Sequence, residues 1–262
     1  MSRQKSRSPS TSATTTPPRS NSLEALRERS PAAGIFLDFD GSLSRIVDRP
    51  ELARPVEGAR ETLIALVPRF RVVAIVSGRR TEEVAGLLGV SGVQYHGLYG
   101  MEHTAPAVHA AAVSRAESAA GLVPEAWVEN KGPSLAVHYR QAPDPQSARA
   151  ALVGGLQQVA SEMGLEIVEG KMVVELVPAS RPRKGGVVER LVAEHGLAAA
   201  LFAGDDAADM EGFASLDRLA EKGLITVRVA VRGDETPDSM IRAADIVVDG
   251  PEGLVGLLRQ IA

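Results

Sequence analysis

Cysteine is absent from the 262 residues, which excludes disulfides and thiolate metal sites and fits a reducing, cytoplasmic setting. Aromatic residues make up only 3%, with a single tryptophan, so the core must rest on Val, Leu, Ile and Ala. No apolar run approaches the roughly 20 residues that span a bilayer, so no membrane partner is expected. Positive charge is also lacking: the formal charge is −4, and no basic cluster is interleaved with aromatics, which argues against nucleic acid. What remains is an ordinary globular balance of 44% hydrophobic and 24% charged residues, enough for one large domain or two small ones.

The first 22 residues are Ser, Thr, Pro and Arg with almost no large apolar side chain. Such a segment cannot bury enough surface to offset its ordering entropy, and it lacks the apolar stretch of a secretory signal, so a disordered tail is expected. From there two strand-to-helix units follow. Gly34-Ile35-Phe36-Leu37 is a buried strand, and 57–67 carries a helical period that Pro68 ends. The continuous apolar run 71–76 suits a strand covered on both faces, and Thr81 reads as the cap of a following helix. The stretch 104–180 differs. Helical segments at 107–120 and 147–163 alternate with adjacent strand pairs at 129–131 and 134–140, then 165–168 and 171–177. That is the pattern of a small α+β unit with an antiparallel sheet. The first pattern resumes at Lys184, with a helix over 185–195, a strand at 198–203, a helix over 207–222, strands at 224–231 and 246–248 and a closing helix at 253–258. The expected fold is α/β: a doubly wound, mostly parallel Rossmann-like core (23–103 and 181–262) with an inserted α+β cap (104–180).

The first strand stops at Asp38-Phe39-Asp40-Gly41-Ser42. Side chains two apart on an extended chain point the same way, so Asp38 and Asp40 could face one small space. Carboxylates that close repel unless a cation or a shared proton relieves them. Gly41 permits a sharp turn away from the strand. One aspartate as nucleophile, its neighbour as acid and base, and a divalent metal between them is the functional reading; an Asx-rich turn ending a buried strand is the other.

Later strand ends carry Ser77 and Gly204-Asp205-Asp206, with Lys184 upstream of the last and Asp209 three residues after it. In this order the four motifs resemble those of haloacid dehalogenase-like phosphohydrolases. The resemblance implies that Asp38 attacks phosphorus in line and Asp40 protonates the leaving alkoxide, then deprotonates water. Lys184 and the Ser77 hydroxyl would hold the phosphoryl oxygens. Asp38, Asp205 and the Asp40 carbonyl would bind Mg²⁺, for which Mn²⁺ could substitute. Asp206 and Asp209 would sit one shell out or cap the helix start.

In the cap, Glu129 and Lys131 lie two apart, as do His138 and Arg140, and Lys171 and Glu175 are four apart, so each pair would share a strand face. Charged groups on one face suit a polyol with many hydroxyls, and they equally suit a solvated sheet face. Ser77-Gly78-Arg79, Gly97-Leu98-Tyr99-Gly100-Met101-Glu102, Glu129-Asn130-Lys131, His138-Tyr139-Arg140, Lys171 with Glu175, and Gly204-Asp205-Asp206 are together similar to the trehalose-6-phosphate phosphatase family. By that resemblance Glu129, Lys131, Lys171 and Glu175 grip the distal glucose hydroxyls. Arg79 and Arg140, with Gly78 beside Arg79, place the sugar or organise the cap interface. A small-molecule sugar phosphate would be the substrate, and a functional link to a trehalose-6-phosphate synthase would follow. Ser42, Ala208 and Met210 depart from the family's Thr, Thr and Glu; the last two remove partners of the metal site, which weakens metal binding. The alternatives are a phosphatase for glucosylglycerol phosphate or mannosylglycerate phosphate, or a non-catalytic sugar-phosphate sensor.

Overall fold

The computed structural model describes residues 20–102 and 107–262. The expected tail therefore lies outside the described residues up to 19, as do 103–106 at the start of the cap, and helix α1 (Ser20–Glu28) already begins at Ser20.

Six parallel strands form the larger sheet: β1 (Ala33–Leu37), β2 (Val72–Val76), β3 (Gln94–His96), β8 (Ala199–Gly204), β9 (Ile225–Arg232) and β10 (Ile246–Asp249). Their order is β10-β9-β8-β1-β2-β3. Because side chains alternate across a strand, each central strand feeds two cores. Ile35 and Leu37 of β1, with Leu201 and Ala203 of β8, pack under α2 (Ala59–Leu66), α3 (Thr81–Leu88) and α9 (Gly250–Arg259). Phe36 and Phe202 point the other way, against α6 (Lys184–His195) and α7 (Met210–Glu221). Met240 of the short α8 (Asp238–Ala243) joins that second core. The expectation of strands buried on both faces follows from this layering: β1, β2 and β8 are buried at every position.

Between β3 and α6 the chain builds a separate four-stranded sheet of order β4-β5-β7-β6, antiparallel throughout. Its strands are β4 (Trp127–Asn130), β5 (Leu135–His138), β6 (Leu165–Gly170) and β7 (Val173–Pro178). Helices α4 (Ala110–Ala120) and α5 (Pro145–Met163) cover one face through Ala116, Leu152 and Leu156 on Leu135, Val137, Val174 and Leu176. Asp144 caps α5, accepting the N–H groups of Gln146 and Ser147. The opposite face of this cap sheet carries Trp127, Glu129, His138 and Glu175.

Two local expectations change, and two elements are new. Thr81 does not cap α3; its hydroxyl accepts the Gly97 N–H at 2.9 Å, and Glu102 accepts the Thr81 N–H at 2.7 Å. Lys171 is not on a strand: it sits in the turn between β6 and β7, beside Met172 at φ 58°. Strand β3 and helix α8 were invisible in the sequence, since three and six residues are too short to display a period.

Candidate active site

Strand β1 lies between β2 and β8, so the chain leaves β1 toward one edge and returns on its other side. The carboxyl ends of β1 and β8 therefore flank the switch point where open α/β sheets bind ligands. Asp38 follows β1 and donates its N–H to the Ala203 carbonyl at 2.9 Å, which fixes it beside the end of β8 and Asp205. The Phe39 carbonyl accepts the N–H groups of Leu43 and Ser44, and Gly41 N–H donates to Ser44, closing a tight turn with Gly41 at φ +89°. A Cβ at this glycine would overlap the Asp205 carboxylate. Gly41→Ala is therefore expected to destabilise the fold by at least about 1–2 kcal/mol from the left-handed backbone alone, read as a lower denaturant midpoint. Stability equal to the parent would contradict the crowding.

Lys184, only 3% exposed, is the cation at the centre. Its Nζ donates to Asp38 Oδ1 at 2.8 Å and to Asp209 Oδ1 at 2.6 Å. Asp209 uses its other oxygen to accept the backbone N–H groups of Asp205 and Asp206. Burial would lower the Lys184 pKa, but Asp209 and Asp38 outweigh it and hold it well above the ordinary lysine value. Burial pushes Asp38 and Asp209 up, against the pull of Lys184. For Asp206 burial also acts upward, yet Lys184 and Lys171 together hold it below the usual range. The cluster is thus rich in buried carboxylate and short of positive charge.

Carboxylate oxygens of Asp38, Asp205 and Asp209 lie within 4.8 Å of one another, and Asp205 Oδ1 is buried without a hydrogen-bond partner. An all-oxygen donor set with an orphaned buried acceptor fits a hard divalent cation such as Mg²⁺. The other Asp205 oxygen pairs with Lys171 of the cap. The sequence reading aimed Lys171 at sugar hydroxyls; here its turn position lets the ammonium reach the Asp205 carboxylate.

Ser77 is buried, and its Oγ accepts the Arg79 N–H at 3.2 Å, which leaves the hydroxyl proton free to donate. The Arg79 guanidinium forks onto Asp40, with Nε to Oδ2 at 2.7 Å and Nη2 to Oδ1 at 2.9 Å, and also pairs with Glu83. Burial opposes the Arg79 charge, but these carboxylates raise its pKa regardless. Arg79 therefore holds Asp40.

The open face of the cap sheet lies over these groups. Lys131 Nζ donates to Glu175 Oε1 at 2.8 Å and to the Gly78 carbonyl at 3.2 Å, bridging cap and core. Glu129 accepts from His138 Nε2 at 2.9 Å; an ionised carboxylate only accepts, so that nitrogen carries the proton. Burial would raise Glu129, but His138 and Lys131 keep it below its ordinary value. Arg140 forks onto Glu235 of the core at 2.9 and 3.2 Å, tying the two sheets together. A cavity of about 170 Å³ remains between the sheets, lined by Asp38, Asp40, Gly78, Arg79, Glu129, Lys131, Arg140, Lys171, Glu175 and Lys184. Ser77 and Asp205 stand just behind its wall, adjacent in sequence to Gly78 and Asp206.

Four participants escaped the sequence reading. Asp209 was left between two roles because spacing alone could not reveal its total burial against Lys184. Glu235 gave no signal, being one acid in a polar loop. His138 stood in a quoted motif without a role. Tyr99 also stood in one, but its left-handed backbone (φ 55°) and its ring, 5.7 Å from Lys184 Nζ, are tertiary facts. Of the departures, Ala208 lines the cavity, whereas Met210, the first residue of α7, is partly buried against the apolar core.

The trehalose-phosphatase family model matches residues 36–245. A trehalose-phosphate phosphatase of Mycobacterium avium is 33% identical over 249 residues, which cover 85% of this chain and 62% of that protein. The chain thus spans less than two thirds of that relative's length. Among solved structures, the C-terminal domain of the Candida albicans trehalose-6-phosphate phosphatase superposes with a TM-score of 0.78 at 22% identity, covering 95% of this chain and 99% of that one. A haloacid dehalogenase-like hydrolase from Bacteroides thetaiotaomicron gives 0.62 at 15% identity over 88% of this chain and 99% of its own, a likeness of fold alone. The extent of the family match, from β1 through the cap to the end of α8, establishes that the chain belongs to the trehalose-phosphatase family.

Proposed function

We propose that this chain hydrolyses trehalose 6-phosphate to trehalose and phosphate through an aspartyl-phosphate at Asp38. The observation that carries this reading is a single cavity with Asp38, Asp40 and Lys184 at its floor and Glu129, Lys131 and Glu175 at its roof. Asp38, Asp205 and the Asp40 carbonyl, with Asp209 alongside, would hold Mg²⁺, which supplies the charge neutralisation that lets a carboxylate meet a phosphate dianion. The Asp38 carboxylate attacks phosphorus as the bond to the sugar oxygen breaks, and Asp40 gives its proton to the departing alkoxide. Asp40 then takes a proton from water as that water attacks phosphorus, releasing phosphate and restoring Asp38. The Arg79 fork occupies both Asp40 carboxylate oxygens, so proton transfer between Asp40 and the leaving oxygen requires the fork to open. Lys184 and the Ser77 hydroxyl steady the phosphoryl oxygens. A cytoplasmic setting and supply of the ester by a synthase belong to the same proposal; among the described residues no helix is long and apolar enough to cross a membrane.

The test is phosphate release from a panel of sugar phosphates with and without Mg²⁺. Activity on glucose 6-phosphate equal to that on trehalose 6-phosphate would defeat the substrate assignment, and tight binding without turnover would favour a sensor. Within the panel, Glu129→Ala is expected to raise KM for trehalose 6-phosphate about tenfold by removing a charged acceptor, with little change for p-nitrophenyl phosphate.

A further inference from the structure

Tyr99 touches both the floor and the roof of the cavity, and the catalytic scheme gives it no task. It lies in the short turn Leu98–Gly100 that follows β3, the last core element before the cap. Leu98 and Tyr99 are consecutive non-glycine residues with left-handed backbones, at φ 46° and 55°. Such strain persists only where the surrounding structure fixes it, and it gathers at functional sites. The loop after β2 does the fixing: Leu98 N–H donates to the Arg79 carbonyl at 2.8 Å and Tyr99 N–H to the Ser77 carbonyl at 3.0 Å. The Tyr99 ring centroid is 5.7 Å from Lys184 Nζ at the floor and 5.9 Å from Arg181 Cζ in the segment that returns from the cap. Its hydroxyl donates to Glu175 Oε2 at the roof, at 3.5 Å, while Lys131 holds Oε1. A Cβ on Gly78 would stand 2.6 Å from that hydroxyl, so a larger residue at position 78 would push the phenol aside.

The two ends of this contact belong to different bodies. Tyr99 is bonded to the core, whereas Glu175 rides on β7 in the middle of the cap sheet. The cavity, at about 170 Å³, falls below the ~300 Å³ of pockets that enclose a whole ligand, so substrate entry must separate cap from core. Separation draws Glu175 off Tyr99, and closure returns it to a hydroxyl that has stayed in place. A carboxylate held at one oxygen can still turn, and a donor on the second oxygen fixes its plane. Glu175 is buried, so water is a poor substitute for that donor. At 3.5 Å the bond stands at the outer limit of hydrogen bonding, so a small movement of the cap decides whether it is made.

We propose that Tyr99 is a positioning residue for cap closure, its hydroxyl setting the orientation of Glu175 over the substrate each time the cap shuts on the core. This rests on the sugar-phosphatase reading above. Tyr99→Phe removes the hydroxyl and keeps the ring beside Lys184 and Arg181. It should raise KM for trehalose 6-phosphate about fivefold, with kcat within about twofold of the parent. p-Nitrophenyl phosphate, which offers Glu175 no hydroxyls, should show no change. Because Tyr99 acts through Glu175, a double-mutant cycle isolates the role: in a Glu175→Ala background, Tyr99→Phe should have no further effect on KM. A KM in Tyr99→Phe equal to the parent's would overturn the role of Tyr99. So would an equal loss on p-nitrophenyl phosphate, or an undiminished effect in the Glu175→Ala background. A parent that releases no phosphate from trehalose 6-phosphate would overturn the functional reading and this role together.

Discussion

Replacing Asp38 by Asn should lower phosphate release from trehalose 6-phosphate by on the order of 10⁴-fold or more, with a thermal midpoint equal to or above that of the parent. The two readouts separate the causes. Asn keeps the shape of the side chain and an oxygen that can still accept from Lys184, which retains Asp209 as its second partner. It removes the proposed nucleophile and one oxygen ligand of the proposed metal site. Asp38 is only 4% exposed, and burial already disfavours its charge, so losing that charge costs the fold little. Turnover within about tenfold of the parent in a folded variant would refute the covalent route.

Lys184→Met should act on stability as well as on activity. Lys184 is the ammonium that Asp38 and Asp209 share, and all three groups are buried. Breaking a buried ionic cluster by deleting one partner leaves uncompensated charge, worth about 3–5 kcal/mol. Methionine matches the length of the lysine stem, so packing against Tyr99 is largely kept and the loss measures charge. Urea unfolding at neutral pH should show the shift, and phosphate release should fall with it because the phosphoryl oxygens lose their fixed cation. A loss of less than about 1 kcal/mol would mean that the two carboxylates are neutralised by other means.

Much of the architecture could be read directly from the chain because its signals are local. Continuous apolar runs ending in Asp38, Ser77 and Asp205 mark buried parallel strands, and the paired strands after residue 120 mark a different kind of sheet. Boundaries shifted where backbone geometry intervened. Lys171 left its expected strand because the hairpin turns at Lys171-Met172, and α9 begins at Gly250-Pro251 because proline suits the first helical turn. The pairings of the site were less legible. Arg79 could be placed near Asp40 only once β1 and β2 were neighbours, and Arg140 met Glu235, 95 residues away in sequence.

The paired aspartates, the strand-end serine, the lysine before a strand and the Gly-Asp-Asp turn were determined by the sequence itself, because each is a residue type at a fixed spacing. With them came the reaction class that such residues can support. Only the tertiary structure decided which charges meet: that Lys184 lies between Asp38 and Asp209, that Arg79 holds Asp40, and that Lys171 reaches Asp205. The reason is physical. Motif chemistry is written in neighbouring residues, whereas Coulomb interactions depend on separation and burial, which exist only after distant strand ends converge.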